Sequence, residues 1–300
     1  MHHPVASQSP ADGPDDSPSV RRRQRRPKVF AVIVASVTWL GMCLLIYPMT
    51  ASWVSQLNQS KVVSDYDNRT DSHQQTTSIA QQLADAHRYN DALKTGASVE
   101  ANHNKPTGQG ASTSTLDYNQ LLRIDSSGVM GRIRIPSINV DLPIYHGTDD
   151  ATLLKGIGHL QGTSLPVGGD GTHAVLTGHR GLANATMFTN LNEVRVGDTF
   201  TITVLGETLT YRVVSSVVVQ PGQTEALRAE AGKDLVTLVT CTPLGINTQR
   251  ILVTGERVLP TPPSDVAVAH RKPDIPGFPW WAVVFLGGTA GLGVYVWRAR

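Results

Sequence analysis

Apolar and polar positions divide the chain into distinct regimes. Val29 to Met49 and Gly277 to Trp297 hold no charged residue. Each matches the roughly 20 apolar residues that carry a helix across a bilayer. Between them, Ser52 to Thr95 places Trp53 and Leu57, then Ile79, Leu83, Ala86 and Leu93, at helical spacing. That period predicts one or two amphipathic helices packed on the domain that follows. From Leu116 onward the pattern shortens to β segments ended by turn residues. Arg132 to Ile135 precedes Pro136, Ile138 to Tyr145 lies ahead of Gly147, and Thr172 to Thr177 precedes Gly178. Thr199 to Leu205 precedes Gly206, and the longer Thr208 to Gln220 ends at Pro221-Gly222. Leu235 to Thr240 and Arg250 to Thr254 form the last pair, and only Thr224 to Ala231 gives a brief helical signal between strands. Short strands at this spacing predict a mainly β barrel or sandwich. No internal repeat is visible, and no strand–helix alternation argues for a parallel sheet.

Polar stretches set the boundaries. Met1 to Val20, rich in Ser, Pro and Asp, reads as disordered, and with the basic run after it forms a tail over residues 1–28. The remaining segments are an apolar span over 29–50, a helical segment over 51–95, and a Gly/Ser/Thr-rich loop over 96–117. The β domain covers 118–259, a Pro-rich linker 260–276, and a second apolar span 277–297, with 298–300 closing the chain. A net charge of +2 selects no partner by itself, but its placement does. Arg21, Arg22, Arg23, Arg25, Arg26 and Lys28 abut the first span. A basic block in that position is a topology signal rather than a nucleic-acid patch. Trp280, Trp281 and Trp297 sit where interfacial aromatics belong, and Arg298 and Arg300 follow the second span. The pattern predicts two membrane passes, both termini cytoplasmic and the β domain outside. A cleavable signal peptide has an apolar core of about 7–15 residues. The longer run here predicts a retained anchor, with cleavage near Ala51 as the alternative.

Candidate chemistry concentrates in Thr237 to Arg250, TLVTCTPLGINTQR. A buried-strand run ends at Cys241, Pro243 and Gly245 force a turn, and Arg250 opens the next strand. The hairpin sets a thiol near a guanidinium. Of the two cysteines, Cys43 lies in the first apolar span, so Cys241 is alone in the external domain, where paired cysteines are oxidised. A lone cysteine also serves as a small buried hydrophobe. The β domain offers His146, His159, His173 and His179 as bases; His179 follows an apolar strand in Thr177-Gly178-His179-Arg180-Gly181, and His146 also follows a strand. No Cys or His pair has metal-ligand spacing, and no cofactor is indicated.

Together Thr177-Gly178-His179-Arg180-Gly181, Thr237 to Pro243 and Asn247-Thr248-Gln249-Arg250 resemble the signature of the sortases. Met130-Gly131, Ile133, Ile135-Pro136, Leu142 to Thr148 and Gly162 to Gly169 resemble the class C branch, the pilin polymerases. The likeness runs from about Tyr118 to Val258, and the two-anchor layout fits it. The resemblance implies an eight-stranded sortase β-barrel with short helices, an N-terminal helical segment and flanking membrane helices. It implies His179 as acid–base, Cys241 as nucleophile and Arg250 as the cation that steadies the oxyanion. It also implies cleavage of an LPxTG-like signal between Thr and Gly, followed by transfer to an amine, in class C a lysine of the next pilin.

Elementary chemistry agrees with those roles. A free cysteine is only a few per cent thiolate at neutral pH, and nearby cations favour the thiolate. An arginine stays charged and can serve as a fixed donor to a developing oxyanion. One feature departs from the class C pattern. Its lid carries an Asp-Pro-aromatic motif, and no Asp-Pro occurs in this chain. Gly96 to Thr115 stands where that lid belongs, and it is expected to be mobile and to leave Cys241 open. The departure points toward a sortase that anchors surface proteins to the wall, with a cell-wall precursor as acceptor amine. A membrane-tethered cysteine hydrolase and a non-catalytic surface module are the further alternatives.

Overall fold

The computed structural model describes residues 28–70, 76–96, 116–269 and 271–299. It divides into two bodies, residues 45–281 and the helical ends within 1–44 and 282–300. In chain order the elements are α1 (Lys28–Thr70), α2 (Thr76–Gly96), β1 (Val129–Ile135), β2 (Val140–His146), α3 (Asp150–Leu153) and β3 (Ile157–His159). There follow β4 (Thr172–Thr177), β5 (Thr199–Val204), β6 (Glu207–Val219), β7 (Asp234–Thr242), β8 (Gln249–Arg257), α4 (Pro263–Ala269) and α5 (Trp280–Arg298). The N-terminal tail up to residue 27 and the lid-like loop over 97–115 lie outside the described residues.

The eight strands close into one barrel in the order β1-β2-β3-β4-β7-β8-β6-β5. Alternation builds its interior, because successive residues of a strand face opposite sides. Ile133 and Ile135 of β1, Ala174 and Leu176 of β4, Val236 and Leu238 of β7, and Ile251 and Val253 of β8 all enter one core. Phe200 and Tyr211 stack inside it with centroids 5.5 Å apart. Most neighbours are antiparallel, but β2–β3 and β4–β7 are parallel pairs. The sequence does not announce the first of these, because its crossover holds only the single turn α3. β3 itself, Ile-Gly-His, is too short to stand out by periodicity. β2 begins at Val140 rather than Ile138. Pro136 starts a 3-10 turn there, and Asn139 takes φ 53° to reverse the chain into β2. The helical signal over Thr224 to Ala231 forms one 3-10 turn, Glu225–Leu227.

α2 packs as its periodicity predicts, whereas Trp53 and Leu57 of α1 are only half-buried and stand outside the core. Ala86 of α2 is fully buried, with Ile79, Leu83 and Leu93 against the same core. Asn90 locks the contact, since its amide donates to the Leu165 carbonyl at 3.0 Å and accepts from the Leu165 N–H at 2.7 Å. α1 runs 43 residues, about 65 Å at 1.5 Å per residue, roughly twice a bilayer's hydrocarbon thickness. Its first half is mostly exposed and apolar, whereas Val63 and Tyr66 of its second half are buried. Tyr66 accepts from Leu205 N–H at 2.8 Å and donates to the Met130 carbonyl at 3.0 Å. Burial raises its phenol pKa.

Residues 260–276, expected as an extended linker, carry α4. Pro263 opens this helix, a position that suits proline because the first helical N–H has no intrahelical partner. Asp265 receives the Thr210 hydroxyl at 2.9 Å. Arg132 donates to the carbonyls of Ala269 and Arg271, at 3.0 and 3.1 Å. Ser60 of α1 donates to the Asp274 carbonyl at 2.8 Å, and Trp53 to that of Gly277 at 2.8 Å. The segment is therefore laid along the barrel and α1. In the second body, Trp39 of α1 meets Phe285 of α5 with ring centroids 6.2 Å apart. Among the described residues, α1 and α5 are the helices long and apolar enough to cross a membrane, which suggests membrane association.

Candidate active site

Alternation that sends Leu176, Leu238 and Val253 inward sends Thr177, Val239 and Leu252 to the barrel's outer face. Along this face burial is uneven. His173, Val175 and Thr237 are buried. His173 donates from Nδ1 to the Arg228 carbonyl at 2.9 Å, so the connection between β6 and β7 closes over that end. Toward the other end Thr177, Val239, Cys241 and Arg250 are each partly exposed. The open end of the face is where β7 and β8 turn into one another.

Cys241 and Arg250 are direct partners in the β7–β8 register. Opposite residues of an antiparallel pair share a face with Cβ atoms about 4.5–5.5 Å apart. Thiol and guanidinium stem therefore emerge side by side. Arg250 also secures the turn, donating from Nη1 to the carbonyls of Asn247 and Gln249, each at 2.9 Å. Asn247 holds φ 59° to permit that turn.

His179 reaches the same end from β4. The parallel ladder pairs Thr177 with Val239. It extends through Gly178 N–H to the Val239 carbonyl at 3.0 Å, and the Thr240 hydroxyl donates to the Gly178 carbonyl at 2.7 Å. One residue further along each chain stand His179 and Cys241. Glycine at 178 is required by packing: a Cβ there would lie 2.7 Å from both the Phe188 ring and Ile157 Cδ1. Phe188 is buried, and its N–H donates to the His179 carbonyl at 3.0 Å. Behind His179, Gly181 takes φ 75° with Leu244 of the β7–β8 turn packed against it.

The other three candidate histidines of the β domain occupy structural positions. His159 is fully buried, donating from Nε2 to the Ser164 carbonyl at 2.8 Å with Nδ1 2.9 Å from the Tyr118 hydroxyl. Burial pushes its pKa down to about 4. His173 has Nε2 2.7 Å from the Thr237 hydroxyl, and burial lowers its pKa. His146 lies between the carbonyls of Leu121 and Gly128, at 2.8 and 3.1 Å, and burial again lowers its pKa. These contacts set a polar partner beside each of the six ring nitrogens, whereas His179 stands partly exposed next to the Gly178 that is tied to β7.

Arg180, the neighbour of His179, lies within the Thr177 to Gly181 motif, but the sequence reading assigns it no chemical role. Its guanidinium donates to the Thr189 carbonyl at 3.0 Å, the Thr242 hydroxyl at 2.8 Å and the Asn192 side-chain oxygen at 2.8 Å. The one signal in the sequence is adjacency: Arg180 directly follows His179, and its partner Thr242 directly follows Cys241. Among the described residues no group of three or more His, Cys, Asp or Glu is disposed to hold a metal ion.

Residues 133–258 match the Sortase domain family. Sortase C-1 from Actinomyces oris is 50% identical, with a TM-score of 0.55 and a match covering 61% of this chain and 98% of that one. Sortase C from Streptococcus pneumoniae is 33% identical, with a TM-score of 0.59, over 68% of this chain and 99% of that one. Sortase D of Bacillus subtilis is 32% identical over 131 residues, 43% of this chain and 63% of that protein. The match thus spans less than two thirds of this curated relative. The eight-stranded barrel that the resemblance implies is present, and the solved neighbours from Actinomyces oris and Streptococcus pneumoniae are both named as sortase C proteins. With nearly the whole of a solved sortase matched at half its residues, the chain belongs to the sortase family.

Proposed function

We propose that the chain is a membrane-held cysteine transpeptidase in which Cys241, His179 and Arg250 carry the reaction. The observation behind this reading is the register that sets Cys241 opposite Arg250 on the open end of the outer face, with the His179 loop tied to the same strand. With the thiol proton carried by His179, the Cys241 sulfur attacks the Thr carbonyl carbon of an LPxTG-like signal, and the carbonyl oxygen becomes an oxyanion that the Arg250 guanidinium stabilises. Collapse breaks the Thr–Gly C–N bond, and His179 gives its proton to the departing glycine amine. A thioester to Cys241 remains. His179 then takes a proton from the incoming amine, whose nitrogen attacks the thioester and releases Cys241.

For the acceptor we infer a lysine of a pilin subunit. The class C neighbours support this, and the solved pneumococcal sortase C is described in connection with pilin substrate specificity. The absence of any Asp-Pro dipeptide favours a second reading, attachment of surface proteins to a cell-wall precursor amine. The test uses the full chain in detergent micelles with an LPxTG-type peptide. Mass spectrometry is expected to find an acyl adduct on Cys241 that added amine discharges into a new amide. Discharge to water alone, unaffected by amine, would mark a hydrolase, and failure to form any adduct a non-catalytic module. Presenting a pilin lysine and a wall-precursor amine in competition then chooses between the two acceptors.

Orientation follows from the charges flanking α1 and α5, with arginines beside each span. Both termini are placed in the cytoplasm and the barrel outside. In protease shaving of whole cells, tags at either terminus are expected to survive and a barrel tag to be cut. An accessible C-terminal tag would refute the second pass.

A further inference from the structure

Two cross-strand ties flank the positions of His179 and Cys241. On one side the Thr240 hydroxyl donates to the Gly178 carbonyl, and on the other Arg180 Nη1 donates to the Thr242 hydroxyl. Both bonds join residues 62 apart, the offset at which β4 pairs with β7. The Arg180–Thr242 contact therefore continues the parallel register after the backbone ladder has ended, and the two chemical residues lie between the ties. The same guanidinium reaches back to Thr189 and Asn192, which close the loop that carries His179. Gly181 N–H donates to the Thr189 hydroxyl at 3.1 Å and completes that closure.

We propose that Arg180 is a positioning residue, a clamp that holds the His179 loop on the end of the nucleophile strand through Thr242. This rests on the reading of Cys241 and His179 given above. The guanidinium suits the task because its donors form a rigid planar fork. Nε and Nη2 meet acceptors on the Thr189–Asn192 stretch of the loop, while Nη1 meets Thr242 at the end of β7. A lysine ammonium supplies the charge from a single atom and cannot reproduce that spacing. Proton transfer between imidazole, thiol and leaving amine is sensitive to placement, and a displacement of about 1 Å can cost on the order of 100-fold.

The experiment measures transfer by the full chain in micelles for wild type, Arg180→Lys, Arg180→Ala and Thr242→Val, with melting temperatures alongside. Arg180→Lys and Arg180→Ala are both expected to lower kcat at least ~10-fold, with KM within about twofold of wild type. The pH limbs of kcat/KM should stay in place while the plateau falls. Thr242→Val is expected to lose ~3–10-fold, and the double variant Arg180→Ala/Thr242→Val to lose less than the product of the two single effects, because they break the same tie. Wild-type kcat in Arg180→Lys, or pH limbs that move in Arg180→Ala while the plateau stays, would overturn the clamp in favour of a purely electrostatic role. If Arg180→Ala fails to fold, Thr242→Val decides, and a wild-type kcat there overturns the proposal. Absence of transfer by wild type itself would remove the reading of the site, and the clamp with it.

Discussion

Cys241→Ala is expected to abolish acyl transfer, leaving no adduct with an LPxTG-type peptide. Cys43, the only other thiol, sits in the apolar run of α1 and cannot substitute. His179→Ala is expected to lose about 10²–10⁴ in kcat, the range that a positioned acid–base catalyst contributes. Arg250→Ala is expected to lose about 10²–10³, comparable to removing one oxyanion donor. Because Arg250 also caps the carbonyls of Asn247 and Gln249, Arg250→Lys is the informative companion. It keeps the cation near the oxyanion but gives up the fork, so its activity should fall between those of wild type and Arg250→Ala. Melting temperatures separate loss of chemistry from loss of fold. If His179→Ala keeps substantial activity, His179 leaves the mechanism. His146 is a poor replacement, since its ring nitrogens face the carbonyls of Leu121 and Gly128.

The β7–β8 hairpin is legible in the sequence because its signals are local. An apolar β-branched run, a cysteine, a proline–glycine turn and a second run fit within about twenty residues. The α2 face at Ile79, Leu83, Ala86 and Leu93 is legible for the same reason, as periodicity alone selects the buried side. What stays hidden depends on distant partners. Arg132 and Arg134 alternate with Ile133 and Ile135, which reads as a polar outer face on β1, yet Arg132 is 1% exposed. Its cover comes from Asp67 on α1 and from Ala269 at the end of α4, 65 and 137 residues away. No window along the sequence contains that contact. The contacts of Arg180 are hidden likewise, because Thr242 reaches it only through the parallel pairing of β4 and β7. β3 does not stand out because three residues carry no usable period.

Arg132→Ala is expected to cost about 3–5 kcal/mol of stability, the range for breaking a buried ion pair by removing one partner. Arg132 forks onto Asp141, donating from Nε to Oδ1 at 2.7 Å and from Nη2 to Oδ2 at 2.6 Å. Its Nη1 serves Asp67 of α1 at 2.7 Å and the carbonyls of Ala269 and Arg271. Truncation leaves carboxylate and carbonyl oxygens buried without this donor, and each costs its own desolvation. Asp141→Ala should approach the same loss, because it strips the bidentate partner from a guanidinium that cannot shed its charge. Asp67→Ala should cost only about 1 kcal/mol, since that carboxylate is 27% exposed and water can replace part of its role. Against a typical total of 5–15 kcal/mol, the Arg132 loss is large enough to read as a shifted denaturation midpoint of the full chain in micelles. Hydrogen exchange supplies the second readout. The amides of α4 and of the second half of α1 should lose protection together in Arg132→Ala, because one side chain holds both to β1. Loss confined to the barrel, with α4 protected as in wild type, would show that α4 is held by other contacts, such as Thr210–Asp265.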